Sequence, residues 1–141
     1  MQGYLRIDSS ASRLSGFVRF GDPAESAFQA ALPFVDRGAL ELLFPHIAAN
    51  DFYFTGLAVL NLESDSAELT ITVIDPGGES LASGTYHLAP GARLARLISQ
   101  MFPDLPPLTR GYIRMRSSRP VAAYAVFGTH ALTAISAIPA R

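Results

Sequence analysis

The strongest constraint on how this chain can fold is that its two ends carry nearly the same text. Residues 3–10 read GYLRIDSS and residues 111–118 read GYIRMRSS. Each is followed by a run of small and apolar residues ending in Phe-Gly (Phe20-Gly21, Phe127-Gly128). A second run then ends in Leu-Pro or Ile-Pro (Leu32-Pro33, Ile138-Pro139). From the first motif to Phe-Gly the spacing between the copies changes by a single residue. Repetition over this length marks a duplicated structural unit. What is duplicated is a pattern of strands and turns, not a set of chemical groups, so the repeat constrains architecture far more than chemistry.

The units read as meanders of short strands. In the first block, 3–34, Leu5 and Ile7 alternate with Tyr4, Arg6 and Asp8, the period-2 pattern of a strand. A turn at 9–13, a strand at 14–20, a polar turn at 21–26 and a strand at 27–33 follow. In the block 52–90, FYFTGLAVLNL (52–62) is almost continuously apolar, as in a strand covered on both faces. AELTITVID (67–75) sends Leu69, Ile71 and Val73 one way and Glu68, Thr70 and Thr72 the other. The DPGG at 75–78 is turn chemistry, Pro fixing φ and Gly accepting positive φ, and a strand at 80–88 closes the meander. The block 111–139 repeats the first.

Two short helices are expected between the blocks, at 91–102 (Leu94, Leu97, Ile98 and Met101 at i, i+3, i+4 and i+7) and at 37–45. Both end in Phe-Pro and read as plugs for the open ends of a sandwich. The fold class that follows is all-β: an antiparallel two-sheet β-sandwich of about nine strands, immunoglobulin-like in a loose sense, with one or two short helices and an internal repeat. Residues 1–36 are expected to form a partial repeat unit, a three-stranded meander copying 111–141, packed on a main module at 37–141.

Composition narrows the chemistry. With 141 residues, 49% hydrophobic and 16% charged, the chain can fill one core, burying about 70% of its unfolded surface. A net charge of −1 gives no bulk field for nucleic acid or an anionic membrane, and neither is expected as a partner. All eleven basic residues are Arg. The absence of Cys excludes disulfides, thiolate metal sites and Cys nucleophiles. MQGYLRID lacks the basic and apolar regions of a signal peptide, and no apolar run reaches membrane-spanning length. Met1, two residues before the repeat motif, reads as a cut from a longer polypeptide.

No motif designates a catalytic centre. His46, His87 and His130 stand in separate blocks without metal-ligand spacing. Asp36, Asn50, Asp51, Asp75 and Asp104 are loop residues that no calcium-loop pattern collects. There is no GxSxG, and a GxxxxGK[ST] loop is impossible without Lys. No catalytic residue, metal or cofactor is expected. The one concentrated polar feature is RGYIRMRSSR (110–119), whose alternation places Tyr112, Arg114 and Arg116 on one face, with Arg110 and Arg119 near its ends. Such a face can hold a phosphate, a sulfated glycan or a single strand of nucleic acid. It can equally be a solvated face whose arginines pair with carboxylates on the next strand. The other copy has Tyr4, Arg6 and Asp8 at these positions, which favours the second reading. Phe52, Tyr53 and Phe54 read as core and strand start rather than as a sugar platform.

The succession FPHIAAND, TGLAVLN, AELTITVIDPGGESL, YHLAPGARLARL, MFP and GYIRMRSSRPVAAYAVFG resembles β-sandwich modules found, often in tandem, in long secreted or surface proteins of bacteria. The resemblance covers about residues 44–140, and residues 3–34 look like the tail of a preceding copy. It implies export to the cell surface or beyond, a host protein larger than this chain, and a spacer or adhesive role. It carries no catalytic residue over. The resulting expectation is a non-catalytic structural or adhesive module. Its partners would be neighbouring copies of the module or further copies of itself through edge strands, with a glycan or protein ligand as a further candidate. The alternative expectation is a small-ligand or glycan-binding module using sandwich-end loops or the Tyr112, Arg114 and Arg116 face.

Overall fold

The computed structural model describes residues 4–10, 13–22, 24 and 28–141. Along them run β1 (Phe17–Gly21), β2 (Gln29–Pro33), β3 (Ala39–Ala49), β4 (Tyr53–Asn61), β5 (Ala67–Ile74), β6 (Ser80–Leu88), β7 (Arg93–Leu97), α1 (Ile98–Met101), β8 (Leu108–Thr129) and β9 (Ile135–Pro139). The expected polar turn at 21–26 and the start of the strand at 27 fall partly outside the described residues. The chain is all-β and antiparallel, with one four-residue helix among the described residues.

The architecture follows from one strand. β8 is 22 residues long, several times the usual length of about 5–6. Its first half pairs with β5 (Ile71 opposite Met115) and β3 (Phe44 opposite Ile113). Its second half pairs with β4 (Leu57 opposite Ala125) and β9 (Ile138 opposite Ala125). With β6 on the far side of β5 and β7 on the far side of β4, what the sequence divides into two sheets is one seven-stranded sheet curled like half a barrel about β8. The change of partners falls at Ser117–Pro120. There the Ser117 hydroxyl donates to the Arg119 carbonyl at 2.6 Å, and the β3 register jumps between Ala39 opposite Val121 and Glu41 opposite Arg116. Pro120 has no N–H to give a ladder, so a bulge is where a strand tolerates it.

Alternation supplies the core. Leu42, Phe44, Leu69, Ile71, Val73, Ile113 and Met115 meet inside one half of the curl, and Leu57, Val59, Val121, Ala123 and Ala125 inside the other. The β5–β6 turn forms as its residues dictate. Gly78 takes φ 93°, its N–H reaches the Asp75 carbonyl at 3.1 Å, and the Asp75 carboxylate accepts from the Glu79 N–H at 2.8 Å.

Both helix expectations need correction. Of residues 37–45, all from Ala39 on enter β3 because Leu42 and Phe44 alternate inward onto Met115 and Ile113, and this long-range pairing overrides a helix-favouring Leu-Glu-Leu-Leu run. The middle of 91–102 is β7, pairing Arg93–Leu97 with Leu60–Gly56. Only its end is helical. There the Gln100 side chain accepts from the Leu97 N–H at 3.1 Å, and buried Ile98, Met101 and Phe102 close one end of the core as a plug.

The leading segment differs more. Tyr4–Asp8, expected as a strand, belongs to none, and among the described residues the meander is the hairpin β1–β2 beside β9. That hairpin matches β8–β9 pair for pair. Phe17 faces Pro33 as Tyr124 faces Pro139, and Gly21 faces Gln29 as Gly128 faces Ile135, with three pairs between in each. Both loops close by the same bond, Asp22 N–H to the Phe28 carbonyl at 3.0 Å and Thr129 N–H to the Ala134 carbonyl at 3.1 Å. In both, a Cβ on the Phe-Gly glycine would strike that carbonyl, at 2.3 Å for Gly21 and 2.9 Å for Gly128.

Candidate functional site

The face carrying Tyr112, Arg114 and Arg116 is the outer side of the β6–β5–β8–β3 half. Tyr112 is half-buried opposite Ile74, and the two arginines are exposed. Arg116 Nε lies 3.2 Å from Glu41 Oε1 on β3, so one charge is already matched across the sheet. Arg119 is matched by Asp65 at 3.2 Å. Arg114 sits between Leu43 of β3 and Thr72 of β5, and no ion pair to it is found among the described residues. The Thr72 hydroxyl instead meets that of Ser83 at 3.2 Å. The alternation thus places the three side chains as expected. The surface around them mixes hydroxyls, Leu43 and the carboxylates of Glu41 and Glu68, and is not a concentration of positive charge.

A second concentration of functional groups lies at the end of the curl built by the β3–β4 turn and the β8–β9 loop. Asn50 organises it. Its Oδ1 accepts from the N–H groups of Phe52 and Tyr53 at 2.9 and 3.0 Å, and its Nδ2 donates to the Leu108 carbonyl at 3.2 Å. The His130 Nε2 lies 3.1 Å from the Asn50 carbonyl, which can only accept, so the bond requires the proton on Nε2. Tyr53 stacks on Phe127 with ring centres 5.3 Å apart, His46 meets the same ring edge-on at 4.9 Å, and Phe54 tilts against His130. Tyr53 and Phe54 are therefore packed, as expected, but Phe52 is 77% exposed and belongs to no core. Between them lies an open depression of about 350 Å³, lined by Asp51, Phe52, Tyr53, Thr129, His130, Ala131 and Thr133. A second hollow of about 250 Å³ runs behind Asn50 toward Ser99, Leu105 and Pro107.

The three histidines stay apart from any acidic cluster. Among the described residues no group of three or more His, Asp or Glu is placed to hold a metal ion. His87 lies against Glu68 at 3.8 Å on the outer sheet face, and both are largely exposed. Among the described residues, burial raises the Tyr86 phenol above its ordinary value, with Arg96 nearby pulling the other way. Its hydroxyl donates to the Met101 carbonyl at 3.2 Å, tying β6 to the plug.

Two buried polar residues were not singled out in the sequence. The Thr55 hydroxyl accepts from the Ala48 N–H at 3.0 Å and donates to the Ala48 carbonyl at 2.8 Å, locking β3 to β4. Asn61, fully buried, donates through Nδ2 to the carbonyls of Asp65, Leu88 and Ala89 and accepts from the Glu63 N–H through Oδ1. The signal was there: an amide ending an otherwise apolar strand needs a full set of partners.

No family model matches the chain and no curated protein matches it. Two solved structures share its fold. The protein 1070 of Thermotoga maritima superposes with a TM-score of 0.63 over 74% of this chain and 94% of its own length, at 14% identity. The Anabaena sensory rhodopsin transducer superposes with a TM-score of 0.50 over 65% of this chain and 99% of its own length, at 12% identity. At such identities the likeness carries the fold alone. Among the described residues no helix is long and apolar enough to cross a membrane.

Proposed function

We propose that the chain is a non-catalytic structural or adhesive β-module of a larger exported bacterial protein, made of one whole unit at 37–141 and the last strands of another at 1–36. The observation that carries this reading is the pair of hairpins β1–β2 and β8–β9, alike in sequence, register and loop closure. In support, one neighbour is spanned almost whole by 74% of this chain, a share the size of residues 37–141. Placement outside the cell and the immunoglobulin-like character rest on the module resemblance alone. The polar groups are engaged in holding strands, as at Asn61, Thr55 and the Arg116–Glu41 pair, which suits a spacer better than a reaction centre.

A second reading, ligand or glycan binding, is favoured by exposed Phe52 beside the His130 depression and by the unmatched Arg114. A thermal-shift panel of neutral and sulfated glycans, nucleotides and divalent metals separates the two. A ligand at a hundredfold its dissociation constant adds about 2.7 kcal/mol, a shift of roughly 5–10 °C at this size. A flat panel is expected. A shift with one ligand class, lost in Phe52→Ala or Arg114→Ala, overturns the structural reading.

A further inference from the structure

We infer that Tyr4–Ser10 and the hairpin β1–β2 are a donor, whose partner is a β-unit built like residues 37–107 and lacking its own last two strands. The inference rests on the module reading and names the partner. It stands on four matched positions. In β8, Ile113, Met115, Val121 and Ala125 are all 0% exposed. Their counterparts in the leading segment are Leu5, Ile7, Leu14 and Val18, which are 80%, 53%, 49% and 37% exposed. The same apolar alternation that β8 buries is thus open to solvent 107–108 positions earlier in the chain.

What covers the β8 copy says what would cover the other. Ile113 and Met115 lie opposite Phe44 and Leu42 of β3 and Val73 and Ile71 of β5. Ala125 lies opposite Leu57 of β4. The hairpin half of the donor is already formed in the register it would need, since β1–β2 repeats β8–β9 pair for pair. What is unformed is the stretch Tyr4–Ser10, whose counterpart takes its order from β3 and β5 and not from β9. Leu5 and Ile7 in that stretch are exposed where their counterparts are buried, and a matching set of strand edges would cover them. Within this chain the matching slot between β3, β5 and β4 is filled by β8. The partner is therefore an equivalent unit whose slot is open.

The test lengthens the intact chain at its amino end with a second copy of residues 37–107, and reads amide hydrogen exchange residue by residue. The expected result is that amides of 4–10, fast in the chain alone, slow to the rate of those at 111–118. Leu5→Asp with Ile7→Asp should return 4–10 to fast exchange while 111–118 stays slow. The inference is overturned if 4–10 remains fast in the lengthened protein, whether the added copy folds apart from it or aggregates. It is also overturned if the unlengthened chain dimerises and both substitutions abolish the dimer, which assigns the face to a second whole copy. Either outcome leaves the structural reading of residues 37–141 standing, because that reading fails on the ligand panel and not here.

Discussion

Asn61→Ala tests whether a single buried amide holds the base of the fold together. Asn61 is 0% exposed at the end of β4, and its Nδ2 lies 2.8, 3.1 and 3.2 Å from the carbonyls of Asp65, Leu88 and Ala89. Two N–H bonds serve three carbonyls, so one is shared, and Oδ1 holds the Glu63 N–H at 3.0 Å. Asp65, Glu63 and Ala89 lie at exposed positions where water replaces the amide, but Leu88 is buried. Losing its partner costs about 1–3 kcal/mol for the orphaned carbonyl, and the remaining bonds add about 1 kcal/mol net, for roughly 2–4 kcal/mol. At about 3–4 °C per kcal/mol for a chain of this size, the midpoint in far-ultraviolet circular dichroism should fall by roughly 6–16 °C, with the urea m-value unchanged. Asn61→Asp keeps the shape but aims a carboxylate at three carbonyls, so its folded-state pKa must rise above the unfolded value of about 3.9. A raised carboxyl pKa means the native state binds more protons, so the penalty grows as pH rises through the unfolded value and is relieved as pH falls below it. An Asn61→Ala protein within about 0.5 kcal/mol of the parent, or an Asn61→Asp protein indifferent to pH between 3 and 7, would refute the clamp.

Ile113→Ala should cost about 2–5 kcal/mol in denaturant titration as a buried deletion, while Leu5→Ala, at its exposed counterpart, should stay within about 0.5 kcal/mol; equal losses would show both segments to be core. Arg116→Ala removes an exposed pair with Glu41 and should change stability by less than about 1 kcal/mol, and less still in high salt; a larger loss would make the arginine face structural. Tyr86→Phe removes the bond to Met101 and should cost about 1 kcal/mol. Because burial raises the Tyr86 phenol above its usual 10.0, the unfolded chain releases that proton first, so its share of stability is complete below pH 10 and is lost as pH climbs through the folded value. A phenolate absorbance titration in which the parent and Tyr86→Phe proteins show the same late-titrating component would contradict this.

The strands most legible in the sequence are those whose partners are also close in sequence. β5 and β6 meet at DPGG, and the structure follows the expected strands closely, as Ala67–Ile74 and Ser80–Leu88, with one register irregularity between Val73 and Ile74. The run 37–45 misleads because Leu40, Leu43 and Phe44 suit a helix face as well as a strand. The deciding contacts, Phe44 with Ile113 and Leu42 with Met115, lie some seventy residues away. β8 reads as two strands because Ser-Ser-Arg-Pro is turn text. The structure keeps it whole by spending those residues on a bulge at which the partners change, a long-range fact with no local signature. At the candidate sites, alternation placed Tyr112, Arg114 and Arg116 correctly, but their meaning depended on Glu41 and Thr72, which only the register supplies.

GYLRIDSS and GYIRMRSS are nearly one sequence in two surroundings, and that contrast isolates what makes a strand. Propensity, alternation and hydrophobicity are close to equal in both, yet the second is the centre of the sheet and the described part of the first, Tyr4–Ser10, lies in no strand. The difference lies in β3 and β5, which flank Ile113 and Met115 and have no equivalent beside Leu5 and Ile7 among the described residues. β propensity is a fit to neighbours more than a backbone preference. The substitution of Arg116 by Asp8 in the other copy points the same way: at 116 the cation answers Glu41, and at 8 the carboxylate answers its own neighbour Arg6 at 3.2 Å. A segment whose apolar residues match a known core, whose hairpin is already in register and whose outward charges have been rearranged is what the inferred joining to a different partner requires. The chemistry to pursue in this chain is therefore that of chain joining to chain.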